Sequence, residues 1–178
     1  FGRVGGMDVL ELYRRTGALL EGHFLLRSGL HSPIFLQSAA LLQHPLYAEA
    51  VGEALGKLFE DEKVDFVIGP ALGGVVLSFV VAKALGARAL LRRGLTVNPG
   101  DRFLAVEDVV TTGESVRKAI RAAEARGGVL VGVGAIVDRS RGEADFGVPF
   151  RALLKLEVPQ YLPEACPLCR DGVPLEEV

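Results

Sequence analysis

Residues 103–115 read Phe-Leu-Ala-Val-Glu-Asp-Val-Val-Thr-Thr-Gly-Glu-Ser, and this stretch decides the fold. The apolar run 103–106 has the character of a buried strand. Glu107 and Asp108 stand where that run stops, with Val109 and Val110 after them. Thr111, Thr112, Gly113, Glu114 and Ser115 form a loop, and Val116, Ala119, Ile120 and Ala123 then repeat at helical spacing. Each part suits a phosphorylated sugar. A helix N-terminus offers unpaired N–H groups and a positive dipole end to a phosphate. Threonine and serine hydroxyls add donors, and Gly113 lets the backbone come close. The carboxylates are acceptors suited to a ribose diol. The competing reading is a plain strand-to-helix crossover, which has no use for paired acids followed by four phosphate-compatible residues.

Working outward, Asp8 caps a helix predicted to run to about Leu20. Runs 24–26 and 34–36 read as two strands around the turn-rich 28–33. Pro45 opens a helix carrying Tyr47, Val51, Ala54, Leu55 and Leu58. Run 64–68 is a buried strand ended by Gly69-Pro70, and Gly73-Gly74 opens an apolar helix that stops at Gly86. Segments 88–91 and 95–97 are weaker strands. The helix after Ser115 ends at Gly127-Gly128, and 129–137 and 152–158 are further strands. Near-continuous apolar strands alternating with helices predict an α/β fold, with a mainly parallel central sheet flanked by helices. Ligands of such sheets sit beyond the carboxyl ends of the strands. Loops 69–74 and 107–115 and Asp138-Arg139 all follow strand ends, so they should share one rim.

The chain has 178 residues, a formal charge of −2 and 49% apolar residues. That length suits one domain with a sizeable core. No uncharged apolar run reaches membrane-spanning length, and the charge argues against a broad nucleic-acid surface. No signal-peptide pattern is present. Two cysteines do not make a disulfide scaffold, and a cytoplasmic enzyme is expected. The expected organisation is a single domain over 1–178. Within it, 1–6 are an extension foreign to the natural chain, 7–40 a small N-terminal hood, 41–157 the core and 158–178 a C-terminal tail.

The motif at 107–115 resembles the phosphoribosyl-pyrophosphate (PRPP) signature of the type I phosphoribosyltransferases. One position departs: Glu114 lies where many members carry a small residue, and its charge suits an exposed first helical turn. Gly69-Pro70-Ala71-Leu72-Gly73-Gly74, a structural turn when taken alone, becomes a pyrophosphate pocket beside that signature. It lacks the Gly-Lys-Ser/Thr ending of a P-loop. The segment 22–33, Gly-His-Phe-Leu-Leu-Arg-Ser-Gly-Leu-His-Ser-Pro, together with Val137-Asp138-Arg139, narrows the resemblance to the orotate phosphoribosyltransferases over about residues 7–139.

The resemblance implies a reaction of orotate with PRPP, giving orotidine 5′-monophosphate and pyrophosphate. It also implies Mg²⁺ held mainly by PRPP, pyrophosphate and water, and a homodimer without nucleic-acid or membrane partners. It assigns Glu107 and Asp108 as catalytic and ribose-binding residues. PRPP would be held by residues 107–115 together with Gly69, Pro70, Gly73 and Gly74. Orotate would meet Arg27, Phe35, Thr111 and Arg139. A guanidinium suits the orotate carboxylate in a planar, charge-assisted pair. Taken alone, Arg139 and Arg27 are equally readable as solvated arginines and Phe35 as core.

The family also carries a mobile, cationic loop that would fall between Ala87 and Arg92. Roughly ten residues are wanting there, by the length typical of lids. Such a loop is either left out of the sequence or deleted from the chain. Arg92-Arg93-Gly94 resembles the strand that follows it.

His23, His31 and His44 show no metal-ligand spacing and read as surface or hydrogen-bonded structural residues. No protein metal ligands are assigned. Cys166-Pro167-Leu168-Cys169 reads as two free thiols, or as half of a four-cysteine zinc site shared with a second subunit. Two other functions stay open: a type I transferase for a different base, and a PRPP-sensing regulator without catalysis.

Overall fold

The run around Leu104 lies in the middle strand of a five-stranded parallel sheet. The computed structural model describes residues 3–4, 6–91, 94 and 96–178. In chain order the elements begin with β1 (Arg3–Val4), β2 (Met7–Asp8), α1 (Val9–Arg15), β3 (Leu19–Leu25) and β4 (His31–Leu36). Next come α2 (Ser38–Leu42), α3 (Pro45–Lys57), β5 (Phe66–Ile68), α4 (Gly73–Leu85) and β6 (Arg88–Leu90). Then follow β7 (Arg102–Val110), α5 (Glu114–Glu124), β8 (Val129–Asp138) and β9 (Phe150–Lys155). A 3₁₀ turn (Pro163–Ala165), α6 (Pro167–Arg170) and β10 (Glu176–Glu177) complete the chain.

The central sheet has the order β6-β5-β7-β8-β9, every neighbour parallel. Side chains alternate across β7. Leu104 and Val106 pack with Val51, Leu55, Leu77 and Val81 of α3 and α4. Phe103 and Ala105 pack with Val116, Ala119, Ile120 and Ala123 of α5. Both faces are covered, which is why the strands read as continuous apolar runs rather than alternating ones.

Some boundaries differ from the sequence expectation. The β7 strand does not stop at residue 106, because the long β8 keeps pairing with it through Val109↔Val137 and Val110↔Asp138. Glu107 and Asp108 are therefore strand residues. Asp8 does cap α1, accepting from the Leu10 N–H at 2.8 Å. The helix ends near Thr16, whose hydroxyl returns to the Leu12 carbonyl, so that Leu19 and Leu20 join β3 instead. The expected strand 152–158 starts earlier and ends at Lys155. Segment 95–97 forms no strand at Thr96 or Val97; Leu95, like Arg92 and Arg93, lies outside the described residues. Of the first six residues, Arg3 and Val4 take part in the fold. They pair with β2, and Val4 is buried in the main core cluster.

The hood is the antiparallel pair β3-β4, with a register shift between Glu21 and Phe24. The tail adds β10 in parallel to the outer side of β3. It also bridges Tyr161 to His31, so tail and hood form one small layer.

Candidate active site

The alternation of β7 sets the site. Glu107 continues the side of Phe103 and Ala105, toward the start of α5. Asp108 continues the side of Leu104 and Val106, toward α4. A side chain on Gly73, at the first residue of α4, would place its Cβ 2.9 Å from the Asp108 Oδ2, so the glycine leaves that carboxylate room. Asp108 Oδ1 accepts from the Val109 N–H at 2.9 Å, which fixes the side chain at the strand end.

Glu107 is 9% exposed. Burial, reinforced by the side chain and charge of Asp108, raises its pKa to about 9. In the unliganded protein Glu107 is thus a neutral acid at pH 7, able to donate a hydrogen bond. Burial favours the protonated form at a position expected to accept from the ribose diol.

The loop after β7 turns at Gly113, whose φ of 82° belongs to the left-handed region. A Cβ there would lie 2.8 Å from the Phe146 Cζ. Arg117 lies over the same ring, 4.4 Å from its centroid, and donates to the Asp145 carbonyl at 2.8 Å. No side chain caps the start of α5 beyond a long 3.4 Å contact from the Glu114 N–H to the Thr112 hydroxyl. The first-turn N–H groups remain open to an anion. Glu114 points outward and pairs with Arg121 at 3.3 Å, both side chains well exposed.

Three adjoining clefts of about 580, 350 and 210 Å³ share Thr111 and Thr112. The largest is walled by Arg27 and Phe35 from the hood, by Asp108 and Arg139 from the core, and by Gln160 and Val178 from the tail. Phe35 packs against buried Phe24 with ring centroids 6.0 Å apart. The second adds Arg141 beside Arg139. The smallest joins Glu107 to the loop 109–115. A further cleft of about 440 Å³ lies between Gly69-Pro70-Ala71 and the start of α5, with Ser115 and Lys118 on its wall. The Ala71–Leu72 peptide in this loop is cis. Loop 107–115 meets Arg139 in the first two clefts and the 69–71 turn in this one, so it links the three loops expected at one rim.

Arg139 is held by its backbone, whose N–H donates to the Val110 carbonyl at 2.8 Å. Its Nε and Nη2 are buried and have no hydrogen-bond partner among the described residues. Burial, followed by the nearby charge of Arg141, lowers the guanidinium pKa from its usual value. A half-buried guanidinium with two shielded, unpaired donors is costly and suits an anionic partner. Arg141, Lys118, Gln160 and the pair Arg117–Phe146 escaped the sequence reading. Only Lys118 had a local signal, lying three residues after Ser115 on the same helix face.

The site thus combines a parallel middle strand with two acids near its end, a following helix opened without a side-chain cap among hydroxyls, a glycine loop and a hood. That combination defines a class, the type I phosphoribosyltransferases. No protein-family model matches the chain. It is 87% identical to an orotate phosphoribosyltransferase of Thermus thermophilus, over 97% of this chain and 100% of that one. To the orotate phosphoribosyltransferase of Thermotoga maritima it is 50% identical, over 95% and 96%. The chain belongs to the orotate phosphoribosyltransferase family. Among solved structures it is similar to the Mycobacterium tuberculosis orotate phosphoribosyltransferase in complex with inorganic phosphate, with a TM-score of 0.70 and 29% identity over 84% of this chain and 94% of that one. The same mycobacterial enzyme in complex with PRPP gives 0.68 and 28%, over 84% and 96%. The Thermus alignment spans 183 residues but only 97% of the present 178, so about ten positions of that relative have no counterpart here. That number matches the length of the loop wanting between Ala87 and Arg92.

Proposed function

We propose that the chain transfers the phosphoribosyl group of PRPP to orotate, giving orotidine 5′-monophosphate and pyrophosphate in pyrimidine synthesis. The observation that carries the choice of base is Arg139. Arg139 lines a cleft together with Phe35 and Arg27, and its Nε and Nη2 have no hydrogen-bond partner among the described residues. A flat ring bearing a carboxylate fits that arrangement, the ring against Phe35 and the carboxylate on the guanidinium. Uracil or a purine would leave the Arg139 donors unpaired.

The roles follow from position. Thr111, Thr112, Gly113 and Ser115 take the 5′-phosphate at the open end of α5. Asp108 and Glu107 hold the ribose hydroxyls from the two sides of β7, Asp108 as an acceptor and Glu107 as a donor when protonated. Loop 69–74 takes the pyrophosphate, with Lys118 across the cleft. Displacement at the anomeric carbon builds positive charge on the sugar, which the Asp108 carboxylate stabilises. No protein nucleophile is required, so catalysis is positioning and electrostatics.

Bound Mg²⁺ would supply charge neutralisation for the pyrophosphate, with Asp108 the carboxylate beside it. The rim fits a metal held through substrate oxygens and water: it offers hydroxyls, amides and Asp108 rather than a cage of carboxylates. A homodimer is supported by an apolar surface on α3 and α4, where Leu46 (80%), Phe79 (53%) and Val76 (42%) are exposed. No described helix is long and apolar enough to cross a membrane. A cytoplasmic location remains part of this reading.

A base panel tests the proposal. With PRPP and Mg²⁺, orotate should give a nucleotide product while uracil, adenine and hypoxanthine do not. Turnover of one of those bases in preference to orotate would make this a transferase of different specificity.

A further inference from the structure

Four potential metal ligands converge at the seam between hood and tail, and none of them lines the clefts described above. They are His23 of β3, His31 of β4, and Cys166 and Cys169 flanking the start of α6. Their ligand atoms all lie within 4.8 Å of one another. His23 Nε2 stands 3.0 Å from His31 Nδ1, 3.5 Å from Cys166 Sγ and 3.7 Å from Cys169 Sγ, and Cys169 Sγ is 3.3 Å from His31 Nδ1. A tetrahedral zinc with Zn–N of about 2.0–2.1 Å and Zn–S of about 2.3 Å needs edges of roughly 3.3 to 3.8 Å. Three of these four spacings fall in that range and the two nitrogens are slightly closer; the remaining two pairs lie within 4.8 Å.

The protonation pattern agrees. His23 Nδ1 lies 2.8 Å from the Val173 carbonyl, which can only accept, so Nδ1 carries the hydrogen and Nε2 presents its lone pair to the cluster. Orientation of a ligating histidine by a backbone carbonyl on its other nitrogen is the usual supporting contact of a metal site. His23, His31 and Cys166 are buried at 2%, 4% and 4% exposure. The sequence alone leaves both histidines without metal ligation and reads the cysteines as two free thiols, or as half of a four-cysteine site shared with a second subunit. The hairpin supplies the missing pair from the same chain, through β-sheet neighbours that linear spacing does not reveal.

We propose that these four residues bind one structural zinc ion, which fastens the C-terminal tail to the hood. Two imidazoles and two thiolates form a closed set for Zn²⁺, with no position left for substrate. The tail needs such a fastener. Residues 170–178 are all exposed, and β10 pairs over only two residues. The tail also contributes Gln160 and Val178 to the large cleft, and the Pro159 carbonyl accepts from Ser32 of the hood. The metal thereby steadies the wall that carries Arg27 and Phe35.

Metal analysis of the protein, expressed in zinc-supplemented medium and purified without chelator, tests this without any substrate and so stands apart from the assigned activity. One zinc per chain is expected. Co²⁺ added to the metal-free protein should give the intense visible bands of a tetrahedral dithiolate site, saturating at one equivalent. Cys169→Ser, at the exposed ligand, should lose stoichiometric zinc and those bands while the far-ultraviolet spectrum persists. It should also open the tail to proteolysis and raise the orotate KM ~10-fold, with the PRPP KM little changed. Absence of zinc, whether Cys166 and Cys169 are free or joined, would overturn the proposal. So would zinc retained in full by Cys169→Ser.

Discussion

Glu107 and Asp108 are neighbours in sequence but face opposite sides of β7, Glu107 toward the opening of α5 and Asp108 toward Gly73 at the opening of α4. One strand end thus serves two helix N-termini, one for each phosphate-bearing end of PRPP. The Asp108 N–H lies 3.3 Å from the Glu107 Oε1, so the two groups are also electrostatically coupled.

For Asp108, the account predicts that Asp108→Asn keeps the fold and lowers turnover ~10²–10³-fold, the usual cost of losing one charge contact in a transition state. Steady-state kinetics on the folded variant check this. A rate near that of the parent would remove Asp108 from the mechanism.

Glu107 gives a pH signature. Its folded pKa of about 9 lies above the ordinary 4.5, so the folded state holds a proton that the unfolded state releases between those values. The contribution of Glu107 to stability is fully present below about pH 4.5 and is lost as pH rises toward 9. Glu107→Gln should flatten the fall in melting temperature across that window and leave the unliganded protein more stable at pH 8–9. Parallel melting curves for parent and variant would contradict a buried, protonated Glu107.

Arg139→Ala should weaken orotate far more than PRPP, by about 2–5 kcal/mol, the range for truncating one partner of a buried charge pair. Separate KM values for the two substrates decide it. Equal weakening would place Arg139 elsewhere in the reaction.

The segment after β6 yields a fourth prediction. The chain lacks about ten positions that its Thermus relative carries. An intact mass about a kilodalton above 19.0 kDa would mean that the loop is present in the chain. With a matching mass, restoring that relative's unmatched residues between Ala87 and Arg92 should raise turnover ~10²-fold or more, through added cations and excluded water, with PRPP affinity nearly unchanged. Unaltered turnover would mean that no lid is needed here.

Much of the site was readable because its chemistry is local. Residues 103–115 contain strand, acids, loop and helix start in one stretch, and Gly69 to Gly74 stand next to their own strand. What escaped depends on contacts between distant segments. Burial of Glu107 comes from packing on its strand face, which a residue list does not contain. Phe146 packs beside Gly113 and under Arg117, and Arg117 bonds Asp145 across 28 residues of chain. The meeting of His23 with Cys166 spans 143 residues and requires the tail to fold back on the hood. Strand ends were misjudged at β7 because pairing with β8, not local hydrophobicity, sets where it stops.

The most direct measurement is pyrophosphate release from PRPP and Mg²⁺, followed continuously with and without orotate. The account predicts release that depends on orotate, matches the orotidine 5′-monophosphate formed mole for mole, and falls sharply in Asp108→Asn. Tight PRPP binding without orotate-dependent pyrophosphate release would contradict it and would indicate a protein that senses PRPP rather than consuming it.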